Sequence, residues 1–108
     1  MKVKEFIEKA KNVIELYKVK SLNEFYDSFN EEYPDEELKV VNHAQNIVEH
    51  RWYSTATDIY LLEDGFVGIR AGYKLYSEQM WWSDVDIEPT VSIYEAYQTI
   101  AYRPKILN

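Results

Sequence analysis

Residues 51–76, RWYSTATDIYLLEDGFVGIRAGYKLY, carry the pattern of a long β-hairpin turning at Asp64-Gly65. Trp, Tyr, Thr, Ile and Val crowd both flanks, the side chains that fit a pleated, half-buried surface, and Asp-Gly tolerates the positive φ of a tight turn. Two strands alone are marginal in water, so the hairpin requires a third strand and a cover for its apolar face. Residues 90–103 (TVSIYEAYQTIAYR) supply the strand, with Val91, Ile93, Tyr97 and Thr99 on one parity and Tyr94, Ala96, Ile100 and Tyr102 on the other.

The cover comes from upstream. Over residues 2–18, Val3, Phe6, Ile7, Ala10, Val13, Ile14 and Tyr17 recur at three- and four-residue steps, forming one stripe of an amphipathic helix. Lys and Glu alternate on the opposite face, with Glu5 and Lys9 in the favourable order four apart. Ser21 and Glu24 make a capping-box pair that opens a second helix carrying Leu22, Phe25, Tyr26 and Phe29. That helix ends before Pro34, whose ring drives the preceding residue out of the α region. Asp35, Glu36 and Glu37 then sit where carboxylates favour a helix start, and Leu38, Val41, Ala44 and Val48 follow on one face as a third helix. The alternative is that residues 39–41 and 47–52 begin the first strand early. The expected fold is α+β, a single domain over residues 1–108. Two or three N-terminal helices (1–46) pack on a three-stranded antiparallel β-meander (47–105).

A chain of 108 residues buries roughly two thirds of the surface exposed by its unfolded form, enough for one core. It contains no cysteine, which excludes disulfides and zinc–thiolate sites and fits a reducing compartment. No stretch approaches the roughly 20 apolar residues of a membrane span, and the expected location is the cytoplasm. The net charge is -7, and residues 21–38 hold seven acids and no base. Direct nucleic-acid binding is thereby disfavoured, since neutralisation of phosphates by a basic patch supplies most of that affinity.

Catalysis requires a nucleophile with its base, a carboxylate pair in a pocket, a metal cluster or a phosphate loop, and the chain offers little of this. His43 and His50 are seven apart, neighbours if one helix carries both, but without a His-Glu-x-x-His spacing. Asp84, Asp86 and Glu88 alternate and put three oxygen ligands on one side of an extended segment, which suits Ca²⁺ or Mg²⁺, although the glycine and spaced glutamate of a calcium loop are missing. His50, Arg51, Tyr53 and Arg70 are the material of a nuclease-like cluster; pairing of Arg51 and Arg70 with nearby carboxylates is the simpler expectation. In Met80-Trp81-Trp82, either Met80 and Trp82 close an end of the core, or Trp81 serves as an interface anchor, since Trp and Tyr dominate binding hot spots. The reading is of a non-enzymatic protein without a cofactor.

Ten Tyr and three Trp exceed what so small a core can bury, a composition suited to protein recognition. Glu31, Glu32, Asp35, Glu36 and Glu37 are the first candidate contact patch, and Trp81, Asp84 and Asp86 the second. Spaced carboxylates imitate a nucleic-acid backbone and can fill a basic cleft with fast, steered association. The competing explanation is an ordinary solvated helix face.

Arg51-Trp52-Tyr53, Ile59-Tyr60, Asp64-Gly65-Phe66-Val67-Gly68, Leu75-Tyr76-Ser77-Glu78, Ser83-Asp84 and Tyr102-Arg103-Pro104-Lys105 together resemble a pattern in short proteins of Gram-positive phages and mobile elements. The likeness covers residues 50–105 and transfers no catalytic residue. It implies a phage setting, in which small acidic proteins block host defence proteins, CRISPR nucleases among them. The expected function is therefore an anti-CRISPR-type inhibitor of a host Cas or other nuclease. The alternatives are an antitoxin-like or regulatory partner of another phage protein, or a small hydrolase or ligand-sequestering protein using His50, Arg51 and Arg70.

Overall fold

In α1 (Val3–Tyr17) the apolar stripe turns inward, burying Phe6, Ala10 and Val13 and leaving Ile7, Ile14 and Tyr17 along its border. The computed structural model describes residues 1–85 and 91–96. Lys18 stops the helix in the left-handed region at φ 54°, its N–H returning to the Ile14 carbonyl. Ser21 opens α2 (Leu22–Glu32) with both halves of the capping box: its hydroxyl accepts the Glu24 N–H at 3.1 Å, and the Glu24 carboxylate accepts the Ser21 N–H at 3.2 Å. Leu22, Phe25 and Phe29 are buried, while Tyr26 turns to solvent.

The third helix is not formed. Its residues build an edge strand, β1 (Val40–Glu49), in an antiparallel sheet ordered β1-β2-β3-β4. Among the described residues the sheet is therefore a four-stranded meander beneath two helices, and the strands begin at residue 40 rather than 47. The central hairpin is β2 (Tyr53–Leu62) and β3 (Gly65–Leu75), paired from Leu62 with Gly65 outward to Tyr53 with Leu75. Its turn lies at Glu63-Asp64, and neither these residues nor Gly65 adopts a positive φ. Asp64 instead accepts the Val3 N–H at 2.7 Å, capping α1 where Lys2 offers no side-chain cap. β4 (Ser92–Ala96) pairs with β3 from Arg70 with Ser92 to Phe66 with Ala96. The remainder of the expected last strand, with Tyr97, Thr99, Ile100 and Tyr102, lies outside the described residues. Past Arg70 the β3 edge is taken over by the α1–α2 link, where the Gly72 N–H donates to the Lys20 carbonyl at 2.9 Å.

Alternation divides the sheet into two faces. Ala56, Tyr60 and Leu62 of β2 and Val67, Ile69 and Ala71 of β3 meet the helices in one core. The rings of Phe6 and Tyr60 lie 5.3 Å apart and those of Phe25 and Tyr60 5.8 Å apart, so one sheet tyrosine joins both helices. Full burial of each such ring removes enough apolar surface to contribute about 2–3 kcal/mol. The Tyr60 hydroxyl, carried in with its ring, is a buried side-chain oxygen with no hydrogen-bond partner among the described residues; burial pushes the phenol up from its ordinary pKa. Among the described residues no helix is long and apolar enough to cross a membrane.

Candidate functional site

The acids after α2 lose their simplest structural explanation once β1 replaces the third helix. Carboxylates at a helix N-terminus would have been stabilised by the dipole; these follow the C-terminus of α2, whose last turn contains no base. Glu31 and Glu32 belong to that last turn, where negative charge is opposed by the carbonyl end of the helix. The five candidates then separate by contact. Glu32 accepts the Tyr17 hydroxyl at 3.1 Å, and Glu36 lies 3.6 Å from the Lys9 ammonium, which also donates to Glu5 at 2.9 Å. The Lys9 pKa is raised, first by its hydrogen bond to Glu5, and the same bond lowers that of Glu5. Glu31, Asp35 and Glu37 are exposed and make no hydrogen bond or ion pair with another described residue. The corner thus presents three free carboxylates on a base of two that are tied to α1.

The second patch is partly internal. Trp81 is 74% exposed, whereas Trp82 is half-buried and meets the Tyr53 ring edge-on at 6.3 Å. The Trp81 N–H donates to the Asp84 carboxylate at 2.9 Å and the Asp84 N–H returns to the Trp81 carbonyl at 2.8 Å, closing one 3-10 turn (Trp82–Asp84). Asp84 is therefore engaged in shaping its loop. Among the described residues of this segment, Val85 rather than Met80 is the buried apolar one. Asp86 and Glu88 lie outside the described residues, and among those described no group of three acids or histidines is placed to hold a metal ion.

The sheet brings together other residues that the spacing had linked only loosely. Because β1 is a strand, the two histidines part. The His43 Nδ1 contacts the buried Asp58 carboxylate at 2.7 Å, which also accepts the Ala44 N–H at 2.9 Å. His50 stacks on Tyr53, with ring centres 4.6 Å apart and planes 17° from parallel, and its Nε2 lies 3.4 Å from the Thr55 hydroxyl. The expected pairing of Arg51 and Arg70 with carboxylates is not found among the described residues. Arg51 lies over the Trp52 ring at 4.9 Å. Arg70 donates to three neutral oxygens: the Asn46 carbonyl at 3.0 Å, the Thr57 hydroxyl at 3.1 Å and the Thr55 hydroxyl at 3.0 Å.

No protein-family model matches the chain, and neither does any curated protein or solved structure. Asp58 and Arg70 are the two whose structural weight the sequence concealed. Their partners lie on other strands, and the local cue was an acid in the otherwise uncharged β2 and a base in the middle of β3.

Proposed function

We propose that the chain is a non-enzymatic inhibitor that inserts its acidic α2–β1 corner into the basic nucleic-acid-binding cleft of a host defence protein, a Cas nuclease in the phage setting suggested by the sequence pattern. The observation carrying this reading is the placement of Glu31, Asp35 and Glu37: exposed and unpaired among the described residues, with Glu31 in the last turn of α2, which disfavours negative charge, and Asp35 and Glu37 in the segment that follows it. Charge kept against a local penalty fits a role in recognition, and carboxylates spread along a corner present the spaced negative field that a basic cleft attracts. Exposed Trp81 adds a large apolar side chain that a partner can bury.

The test is capture of partners from a bacterial host extract at low and high salt, comparing the native chain with a variant carrying Glu31→Lys, Asp35→Lys and Glu37→Lys. These three side chains support no internal contact, so the variant keeps its fold by circular dichroism. A nuclease retained by the native chain at low salt, released at high salt and lost in the variant is the expected result, because exposed charge pairs are screened. Retention of that nuclease by the variant would sink the mimicry mechanism. Capture of a phage protein instead, with no host nuclease, would point to a regulatory partner.

A further inference from the structure

The face of the sheet turned away from the helices contains a cation that has no counter-charge among the described residues. Arg70 lies on this face with Thr55 and Thr57, and its half-buried guanidinium reaches across β2 to the Asn46 carbonyl of β1. A guanidinium has five N–H donors in a flat fork. Three are directed at neutral oxygens; the Nε–H and the second Nη2–H meet no acceptor among the described residues. Withdrawing a charge from water is unfavourable unless an opposite charge replaces the lost hydration. In a chain with 19 acids and 12 bases, no described carboxylate comes within 4.0 Å of this one.

The surroundings say what would replace it. The Thr55 hydroxyl stands between Arg70 Nη2 at 3.0 Å and His50 Nε2 at 3.4 Å, so a fork and an imidazole flank one hydroxyl from two directions. The far side of His50 is held flat by the Tyr53 ring. Trp82 closes the end: a Cβ added to Gly72 would fall 2.3 Å from its ring, so glycine is required for the indole to lie against the strand. We propose that Arg70, Thr55 and His50 bind a phosphate group on this face, which it would enter from the side of exposed His50 because Thr55 itself is buried, with the rings of His50 and Trp82 as its flanks. A planar carboxylate would satisfy the arginine fork and leave the imidazole unused. A tetrahedral phosphate has oxygens for both directions, and charge-assisted bonds to a guanidinium are the strong kind. The phosphate is either free or the monoester of a nucleotide, whose base would find ring surface beside it. This site is independent of the acidic corner.

The experiment is isothermal titration of the protein with inorganic phosphate, and separately with adenosine monophosphate, at low ionic strength. Two variants remove contacts without touching the Asn46 brace: His50→Ala, at an exposed position, and Thr55→Val, of nearly equal volume. The expected result is saturable phosphate binding to the native chain that weakens about tenfold in each variant, the usual size for loss of one hydrogen bond to a charged group. Arg70→Lys keeps the charge but loses the fork and should weaken binding further. Tighter binding of the nucleotide than of phosphate assigns the ligand as a nucleotide, and equal affinities assign free phosphate. Absence of binding to the native chain, or affinities unchanged in both His50→Ala and Thr55→Val, would overturn the site.

Discussion

Strand β2 is paired on both sides, and its two partners hold it in different ways. Toward β3 the ladder runs from Leu62 with Gly65 to Tyr53 with Leu75 with a single irregularity, next to Ser54. Toward β1 the register shifts three times between Val40 and Val48, and Ala44 and Asn46 adopt positive φ of 54° and 52°. A non-glycine residue in that region is strained by its Cβ, and alanine has no polar side chain to offset the strain locally. What holds the edge is a side chain from each face. The buried Asp58 accepts the Ala44 N–H, and Arg70 donates to the Asn46 carbonyl. The hairpin rests on nearly continuous backbone pairing and the edge on interrupted pairing braced by two side chains, so the two should respond differently to mutation. A bulged edge is also a poor template for pairing with another chain, which protects an exposed strand.

The largest separation should come from Asp58→Ala. It leaves a buried N–H without an acceptor and His43 without its partner, and should cost about 3 kcal/mol in urea denaturation. Amide exchange should rise along β1 and remain slow along the β2–β3 ladder; a loss below about 0.5 kcal/mol would mean that Asp58 does not hold the edge. Next, Ala44→Gly relieves the strain and should stabilise the fold by about 1 kcal/mol, with Asn46→Gly giving less because asparagine tolerates this region. Equal gains at both positions would contradict that ordering.

On the hairpin side, Tyr60→Phe removes a hydroxyl that has no partner and should leave stability unchanged or raise it by up to about 1 kcal/mol. A clear loss would show that the hydroxyl is bonded. The same residue sets an alkaline limit. Burial raises the folded pKa of Tyr60 above its unfolded value, so the native state holds this proton more tightly. The associated stability is complete below about pH 10 and is lost as pH rises beyond it. Denaturation midpoints of the native chain should therefore fall at high pH more steeply than those of Tyr60→Phe.

The same contrast explains what the sequence disclosed. The hairpin, both helices and the capping box at Ser21 follow from patterns of period two, or of three and four, which the chain displays plainly. β1 was legible only as the alternative to a third helix, because its own irregularity masked it. Its contacts with β2 fall at Asn42, Gln45 and Val48, three apart, opposite Ile59, Thr57 and Thr55, two apart. A strand that gains a residue at each step acquires helical spacing, so Leu38, Val41, Ala44 and Val48 imitated a helix stripe. The acidic corner was legible as composition, but which acids are free depends on how α1 places Lys9 and Tyr17 against it. The convergence of His50, Thr55 and Arg70 depends on strand register, and no local spacing encodes it.

The bond from Val3 to Asp64 joins positions 61 residues apart. The opening turn of α1 thus receives its side-chain acceptor from the far tip of the hairpin, and Lys2 provides no local substitute. That cap cannot exist until the hairpin has closed and docked. During folding the start of α1 should fray while its middle is already ordered, and protection of its first amides should appear in step with the sheet. A probe at the beginning of the first helix would report the closing of a distant turn.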